Sequence, residues 1–205
     1  SRGLGDVYKR QEQQRQAMNS VKEYLDTDLG IKKIHPAMTT DYPTKEENLT
    51  CYNKGCGENG SVFCHANTWA IIAECMLGRP ENAWKYYHQL LPMIAQKTAG
   101  AERYKAEPYV YSSNIFGPES DKFGLANVSW LTGTAAWMYL AATQYLLGVR
   151  PTWDGLEIDP CLPEQLLPAK VTRVFRGCRY EITITKNQKL LLPHVDGRKQ
   201  LSVTV

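Results

Sequence analysis

Residues 134–158 read TAAWMYLAATQYLLGVRPTWDGLEI, and the change of pattern inside this stretch decides the fold. As far as Leu147, apolar and small residues recur at helical spacing, and Gly148 supplies the stop that a helix end favours. Beyond Pro151 the chain turns to short runs bounded by Pro, Gly and Asn: Leu156–Ile158, Lys170–Phe175 and Cys178–Thr185. In the last of these, Tyr180, Ile182 and Ile184 alternate with Arg179, Glu181, Thr183 and Thr185, giving a strand one apolar and one polar face. Arg176-Gly177 suits a tight turn and Asp196-Gly197 is a hairpin signal. Residues 151–205 therefore read as antiparallel sheet, with a last strand that reaches the chain end as if cut short.

Toward the N-terminus the helical pattern returns. Cys64–Leu77 places Trp69, Ile72, Ala73, Met76 and Leu77 on one face and stops at Gly78-Arg79-Pro80. A second helix is expected over 81–91, with Trp84, Tyr87, Leu90 and Leu91 inward, and a third over 134–147. Residues 14–28 carry Met18, Val21, Tyr24 and Leu25 at helical spacing. Between these helices, 29–63 and 97–131 show little periodicity and many Gly, Pro and aromatic residues. Long decorated connections of this kind serve binding sites, and they favour a large helical toroid over a tight bundle, whose loops are short. Residues 1–11, polar and glycine-punctuated, differ in texture from the rest of the chain and read as a non-native junction.

Bulk properties narrow the function. The 205 residues are 43% hydrophobic and 22% charged, enough apolar material for a packed core. A formal charge of +3, with Lys and Arg scattered, speaks against nucleic acid as the main partner. No apolar run is long enough to span a bilayer, so no membrane association is expected. Six cysteines without a CxxC pair suit reduced thiols in a cytoplasmic protein. The set Cys51, Cys56, Cys64 and His65 fits no common zinc spacing, and neither a metal nor a cofactor is expected.

Three places concentrate chemistry. In GCGENGSVFCH, residues 55–65, glycines allow close backbone approach, and Glu58, Asn59 and His65 cluster just before an apolar helix. His65 in the first turn would meet an anion beside free backbone N–H groups; a glycine-rich turn with a capping histidine would have the same sequence. In SWLTGT, residues 129–134, Thr132 and Gly133 open a helix and offer a hydroxyl and an approachable N–H, although Thr is also a routine N-cap. In YKAEPYVY, residues 104–111, Tyr109 offers a flat face to a sugar ring and Glu107 a hydroxyl acceptor, with Trp130 as a further platform. Tyrosines at a core edge would look alike.

The runs GENGSVFCHANTW, YKAEPYVYSSNIFG, SWLTGTAAWMYLAATQYLLGVRP, GLEIDPCLP and KVTRVFRGCRYEI occur in this order. Together, over about residues 35–185, they resemble the C-terminal portion of glycoside hydrolase family 94, the cellobiose and chitobiose phosphorylases. The resemblance implies a mainly α fold, part of an (α/α)6 toroid followed by a C-terminal antiparallel β-sheet domain. Residues 12–150 would be the C-terminal part of the helical catalytic barrel, and 151–205 the β domain. It implies a phosphate site of His65, Thr132 and Gly133, completed by an arginine from an earlier segment. It places Tyr52 against the acceptor sugar, while Glu58 is expected to shape the floor of the phosphate cradle, either by orienting His65 or by contacting sugar. The glutamate that the family uses with this tyrosine to hold the acceptor falls near Asn48, with Glu46 and Glu47 adjacent, and Gly57 stands where several members have Lys or Arg.

The family's general-acid aspartate lies in an upstream Gly-Asp-Trp-Asn motif that these residues lack. No catalytic residue is therefore expected here, and the chain alone is expected to be inactive. The implied reaction is inverting phosphorolysis of a β-linked disaccharide or short oligosaccharide to an α-sugar 1-phosphate, with inorganic phosphate as co-substrate. The complete protein is expected to be a homodimer. The alternatives are an inverting glycoside hydrolase on a helical toroid, which needs a second carboxylate, and a catalytically incomplete sugar-binding fragment.

Overall fold

The computed structural model describes residues 2–39, 52–194 and 199–205, with side chains from Arg10 onward. Two compact units divide the chain: Ser1–Ala70 with Tyr86–Ala135, and Ile71–Lys85 with Ala136–Val205.

In the first unit, α1 (Arg2–Ser20) passes into a π-helical turn, Val21–Leu25, and then into the paired short strands β1 (Asp26–Thr27) and β2 (Gly30–Ile31). The expected helix over 14–28 thus begins earlier and ends sooner. The Thr27 hydroxyl accepts from the Leu29 N–H at 3.2 Å and donates to the Gly30 carbonyl at 2.6 Å, which turns the chain back at this point. β3 (Val62–Phe63) pairs antiparallel with β4 (Ser112–Ile115), and β4 with β5 (Ala126–Ser129). The stretch after 97, expected to be irregular, is therefore partly ordered. It holds the end of α4 (Pro92–Ala99), the short α5 (Ala101–Tyr104) and both of these strands.

α2 (Cys64–Met76) and α3 (Pro80–Leu90) lie within two residues of the expected bounds. The expected inward faces need correction. On α2 the buried stripe is Cys64, Asn67, Thr68, Ile71 and Glu74, while Trp69 and Met76 are exposed. On α3 it is Ala83, Tyr86, Gln89 and Leu90, of which only Leu90 was expected inward. The sequence reading selected the most apolar stripe, but α2 buries polar side chains whose hydrogen bonds serve the neighbouring backbone. Asn67 accepts from the Ile31 N–H at 2.6 Å and donates to the carbonyls of Ile31 and Phe63, both at 2.9 Å.

In the second unit, a three-stranded antiparallel sheet has the order β10 (Leu190–Pro193), β7 (Gly155–Ile158), β6 (Val149–Pro151). A second sheet has the order β11 (Gln200–Thr204), β9 (Cys178–Ile184), β8 (Ala169–Phe175). β8 and β9 form the expected hairpin, turning at Arg176 (φ 47°) and Gly177 (φ 76°). β11 pairs with β9 in parallel, so the region is not wholly antiparallel as expected. Asp196-Gly197 lies outside the described residues, and the strands flanking it pair in different sheets. Before these sheets, α6 (Thr134–Leu140) runs into a π-helical segment, Ala141–Leu146, matching the expected third helix.

Arg150 ties the first of these sheets together. Its Nε and Nη2 donate to Glu157 Oε1 at 2.9 and 2.5 Å, Nη2 also to Asp159 Oδ2 at 2.7 Å, and Nη1 to the Gln144 carbonyl at 3.0 Å. Lys189 Nζ reaches Glu157 Oε2 at 2.9 Å. Lys189 first and then Arg150 hold the Glu157 carboxyl below the ordinary carboxylate range. The stability this contributes is present above the ordinary Glu pKa and is lost as pH falls through the depressed one.

Two substitutions test these anchors. Asn67→Ala strands buried backbone groups and should cost about 2–4 kcal/mol of unfolding free energy in urea titration. Arg150→Met, at a half-buried site, should cost about 1–2 kcal/mol near neutral pH. Its difference from wild type should shrink as pH falls through the Glu157 titration.

Candidate functional site

The sequence-predicted residues that the structure brings together lie in the first unit, around the turn preceding β3. That turn closes through Cys56 N–H to Asn53 O at 2.9 Å and through Gly55 N–H to Asn59 O and Asn59 N–H to Cys56 O, both at 2.8 Å. The Asn59 side chain is buried. Its Oδ1 accepts from Met38 N–H at 2.7 Å, and its Nδ2 donates to Met38 O at 3.1 Å and Tyr52 O at 3.0 Å. Asn59 is thus a scaffold for three loop segments rather than a group presented to a ligand.

This turn delivers the chain through β3 into α2, whose second residue is His65. The His65 ring meets the edge of Trp69 at 5.6 Å and tilts against Phe63 at 6.2 Å, which fixes its plane. Gly133 comes up against the same ring: a Cβ at this position would lie 3.2 Å from His65 Cε1 and 3.4 Å from Nδ1. Only a residue without a side chain allows this approach unless the ring shifts. Thr132, the preceding residue, accepts from the Thr134 N–H at 3.2 Å and shares a hydrogen bond with the Thr134 hydroxyl at 2.6 Å. His65 and Gly133 are therefore adjacent, with Thr132 beside them and turned toward the start of α6. The neighbouring Cys64 thiol, 3.7 Å from the Ser112 hydroxyl, is pushed up to about 11 by burial. It is neutral near pH 7 and no nucleophile.

Tyr52 and Glu58 line a separate wall. With Lys33, Gly57, Asn114 and Asn127 they bound a cavity of about 440 Å³. Lys33 lines this cavity, and the sequence reading missed it. It sits in the irregular stretch 25 positions before Glu58, and no periodicity marks it.

The third group is open to solvent. Tyr109 is 77% and Trp130 69% exposed in this chain. The Trp130 indole N–H donates to Glu107 Oε1 at 3.3 Å. Glu107's own backbone N–H, and then Trp130, hold this carboxyl below the ordinary range. Val128 (φ 54°) and Trp130 (φ 73°) both take left-handed backbone, which is costly for bulky side chains.

Among the described residues, no group of three His, Cys, Asp or Glu could hold a metal ion, and no helix is long and apolar enough to cross a membrane. The described cysteines Cys56, Cys64, Cys75, Cys161 and Cys178 are free thiols; Cys51 lies outside the described residues. A larger cavity, about 620 Å³, lies in the second unit beside Cys75, Arg150 and Cys161, and none of the expected site residues lines it.

Residues 4–148 match the catalytic domain of the glycosyl hydrolase 94 superfamily, and the chain belongs to this family. It is 35% identical over 174 residues to a solabiose phosphorylase of Paenibacillus borealis, covering 85% of this chain and 22% of the relative. It is 39% identical over 175 residues to an N,N'-diacetylchitobiose phosphorylase of Vibrio proteolyticus, covering 85% and 21%. A 3-O-beta-D-glucopyranosyl-beta-D-glucuronide phosphorylase of Paenibacillus borealis is 33% identical over 182 residues, covering 88% and 22%. The chain spans about a fifth of the length of these relatives.

The Trp130 contact can be tested directly. Trp130→Phe removes the indole donor, and the Glu107 carboxyl should then titrate closer to its ordinary range in a carbon-detected NMR titration. An unmoved midpoint would show that the backbone N–H alone sets it.

Proposed function

We propose that the complete protein is an inverting phosphorylase of a β-linked disaccharide or short oligosaccharide, and that this chain supplies part of its phosphate and sugar sites. The observation that carries this reading is the approach of Gly133 to the His65 ring, with the Thr132 hydroxyl next in the chain. Imidazole N–H, hydroxyl and unobstructed backbone N–H are the donors an oxyanion needs. The first turn of α2 adds favourable potential for negative charge.

In the proposed reaction a phosphate oxygen attacks the anomeric carbon as the glycosidic C–O bond breaks. A carboxylic acid from outside this chain protonates the departing oxygen. The single displacement inverts the anomeric configuration and leaves an α-sugar 1-phosphate. Phosphate is itself the nucleophile, so no second carboxylate has to activate water, unlike in inverting hydrolysis. His65, Thr132 and Gly133 orient the phosphate and offset its charge as it nears the sugar. Tyr52 and Glu58 contact the acceptor sugar, while Glu107, Tyr109 and Trp130 offer an acidic and aromatic surface for more of the saccharide.

On this reading 12–150 belongs to the catalytic toroid and 151–205 to a β domain, in a cytoplasmic homodimer. The test is phosphorolysis by the full-length protein of a panel of β-linked disaccharides, with sugar 1-phosphate and free sugar measured separately. His65→Ala and Thr132→Val should each raise the phosphate KM about tenfold or more, with a smaller effect on the disaccharide KM. Free sugar released without any phosphate requirement would make the protein a hydrolase and sink the proposal.

A further inference from the structure

The cavity beside Tyr52 contains an arrangement that bears on which acceptor sugar is taken, and its role there rests on the phosphorylase reading. Gly57 has φ +46°, and a Cβ there would lie 2.6 Å from Tyr52 Cδ1 and 2.7 Å from Cε1. The Tyr52 ring thus fills the space a side chain at position 57 would enter, and a residue with a side chain there would require the ring to move. Lys33 enters the same cavity from another part of the chain. Its backbone N–H donates to Ser61 O at 3.0 Å, which ties the strand end carrying Lys33 to the turn containing Gly57 and Glu58. Its ammonium lies 2.5 Å from Glu58 Oε2 and 4.3 Å from the centroid of the Phe63 ring.

These contacts hold the Lys33 side chain, which is 21% exposed, against 52% for Glu58. The conformational entropy of holding a long side chain is therefore already spent before any ligand binds. An ammonium has three N–H donors, and a carboxylate has acceptor capacity beyond a single bond. The two together present a donor and an acceptor side by side with no net charge.

We propose that Lys33 and Glu58 act as one donor–acceptor pair that grips adjacent hydroxyls of a neutral acceptor sugar, with Lys33 supplying the cation that Gly57 cannot. One hydroxyl donates to Glu58 while its neighbour accepts from Lys33. A uronic or aldonic acid gains no net attraction from the pair, and its carboxylate is repelled by Glu58.

The experiment is the synthetic direction in the full-length protein, with an α-sugar 1-phosphate donor and neutral aldoses or their uronic acids as acceptors. Wild type should favour the neutral aldose in kcat/KM. Lys33→Met and Glu58→Gln should each raise the acceptor KM about tenfold to a hundredfold and leave the donor KM within about twofold. Lys33→Arg, which keeps the charge and the donors, should recover most of the affinity. An acceptor KM in Lys33→Met within about twofold of wild type overturns the assignment. So does an equal rise in donor and acceptor KM, or a preference for the uronic acid. If wild type neither releases phosphate nor consumes the sugar 1-phosphate, the phosphorylase reading fails on its own. Calorimetric binding of the same aldoses to wild type and Lys33→Met then decides the role of Lys33, and equal affinities refute it.

Discussion

The turn and strand that lead into His65 hang on two buried asparagine side chains. Asn59 bonds the backbone of Met38 and Tyr52, and Asn67 bonds that of Ile31 and Phe63. The segments they hold have too few residues in ladders to satisfy their own N–H and C=O groups: β2 and β3 are two residues each. Primary amides suit the task, because each offers an acceptor and two donors to peptide groups that would otherwise be buried without partners. His65 lies between Asn59 and Asn67 in the chain, so its position depends on theirs. The polar stripe on α2 is the cost of this arrangement, and it explains why burial there does not track hydropathy.

The helix bounds were legible because Gly, Pro and apolar spacing report on local backbone. α2, α3 and the end of the third helix fell within a few residues of expectation, and the Arg176-Gly177 turn fell where expected. The partners were not legible. The parallel pairing of β11 with β9 depends on chain return rather than on alternation, and alternation is the same in parallel and antiparallel edge strands. The faces of α2 misled because its buried amide and hydroxyl groups serve the backbone beside them. His65, Thr132 and Gly133 were singled out from their residue types before two helices, and the structure sets Gly133 against the His65 ring; a common phosphate ligand is what the resemblance implies. Lys33 carried no such mark, since its relation to Glu58 exists only once the loop has closed.

A part-buried ion pair lies next in the chain to Lys33. Lys32, whose side chain is 7% exposed, meets Glu119 across 87 positions of sequence, and His35 Nδ1 lies 3.1 Å from the Lys32 ammonium. Burial alone would raise the Glu119 carboxyl, but its hydrogen bond to Lys32, its own backbone N–H and the Lys32 charge bring it below the ordinary range. Such a pair adds little net stability once both charges lose water. Its effect is selective: any other closure of the loop leaves a charge buried alone. Lys32 and Lys33 point to different carboxylates, Glu119 and Glu58, so consecutive residues anchor two different loops.

The sequence separations of these contacts carry a kinetic consequence. Lys33 to Glu58 spans 25 positions, Asn67 to Ile31 36, Cys64 to Ser112 48 and Lys32 to Glu119 87. Each requires a loop closure whose entropy must be met before its bond can form, and the closures share the same few strands. The helices can form from local contacts on a much faster timescale. The corner where Gly133 meets His65 therefore belongs to the high contact-order part of the chain and should consolidate after its helices exist. In a folding transition state it would be largely unformed, so weakening it would speed the departure from the native state more than it would slow arrival.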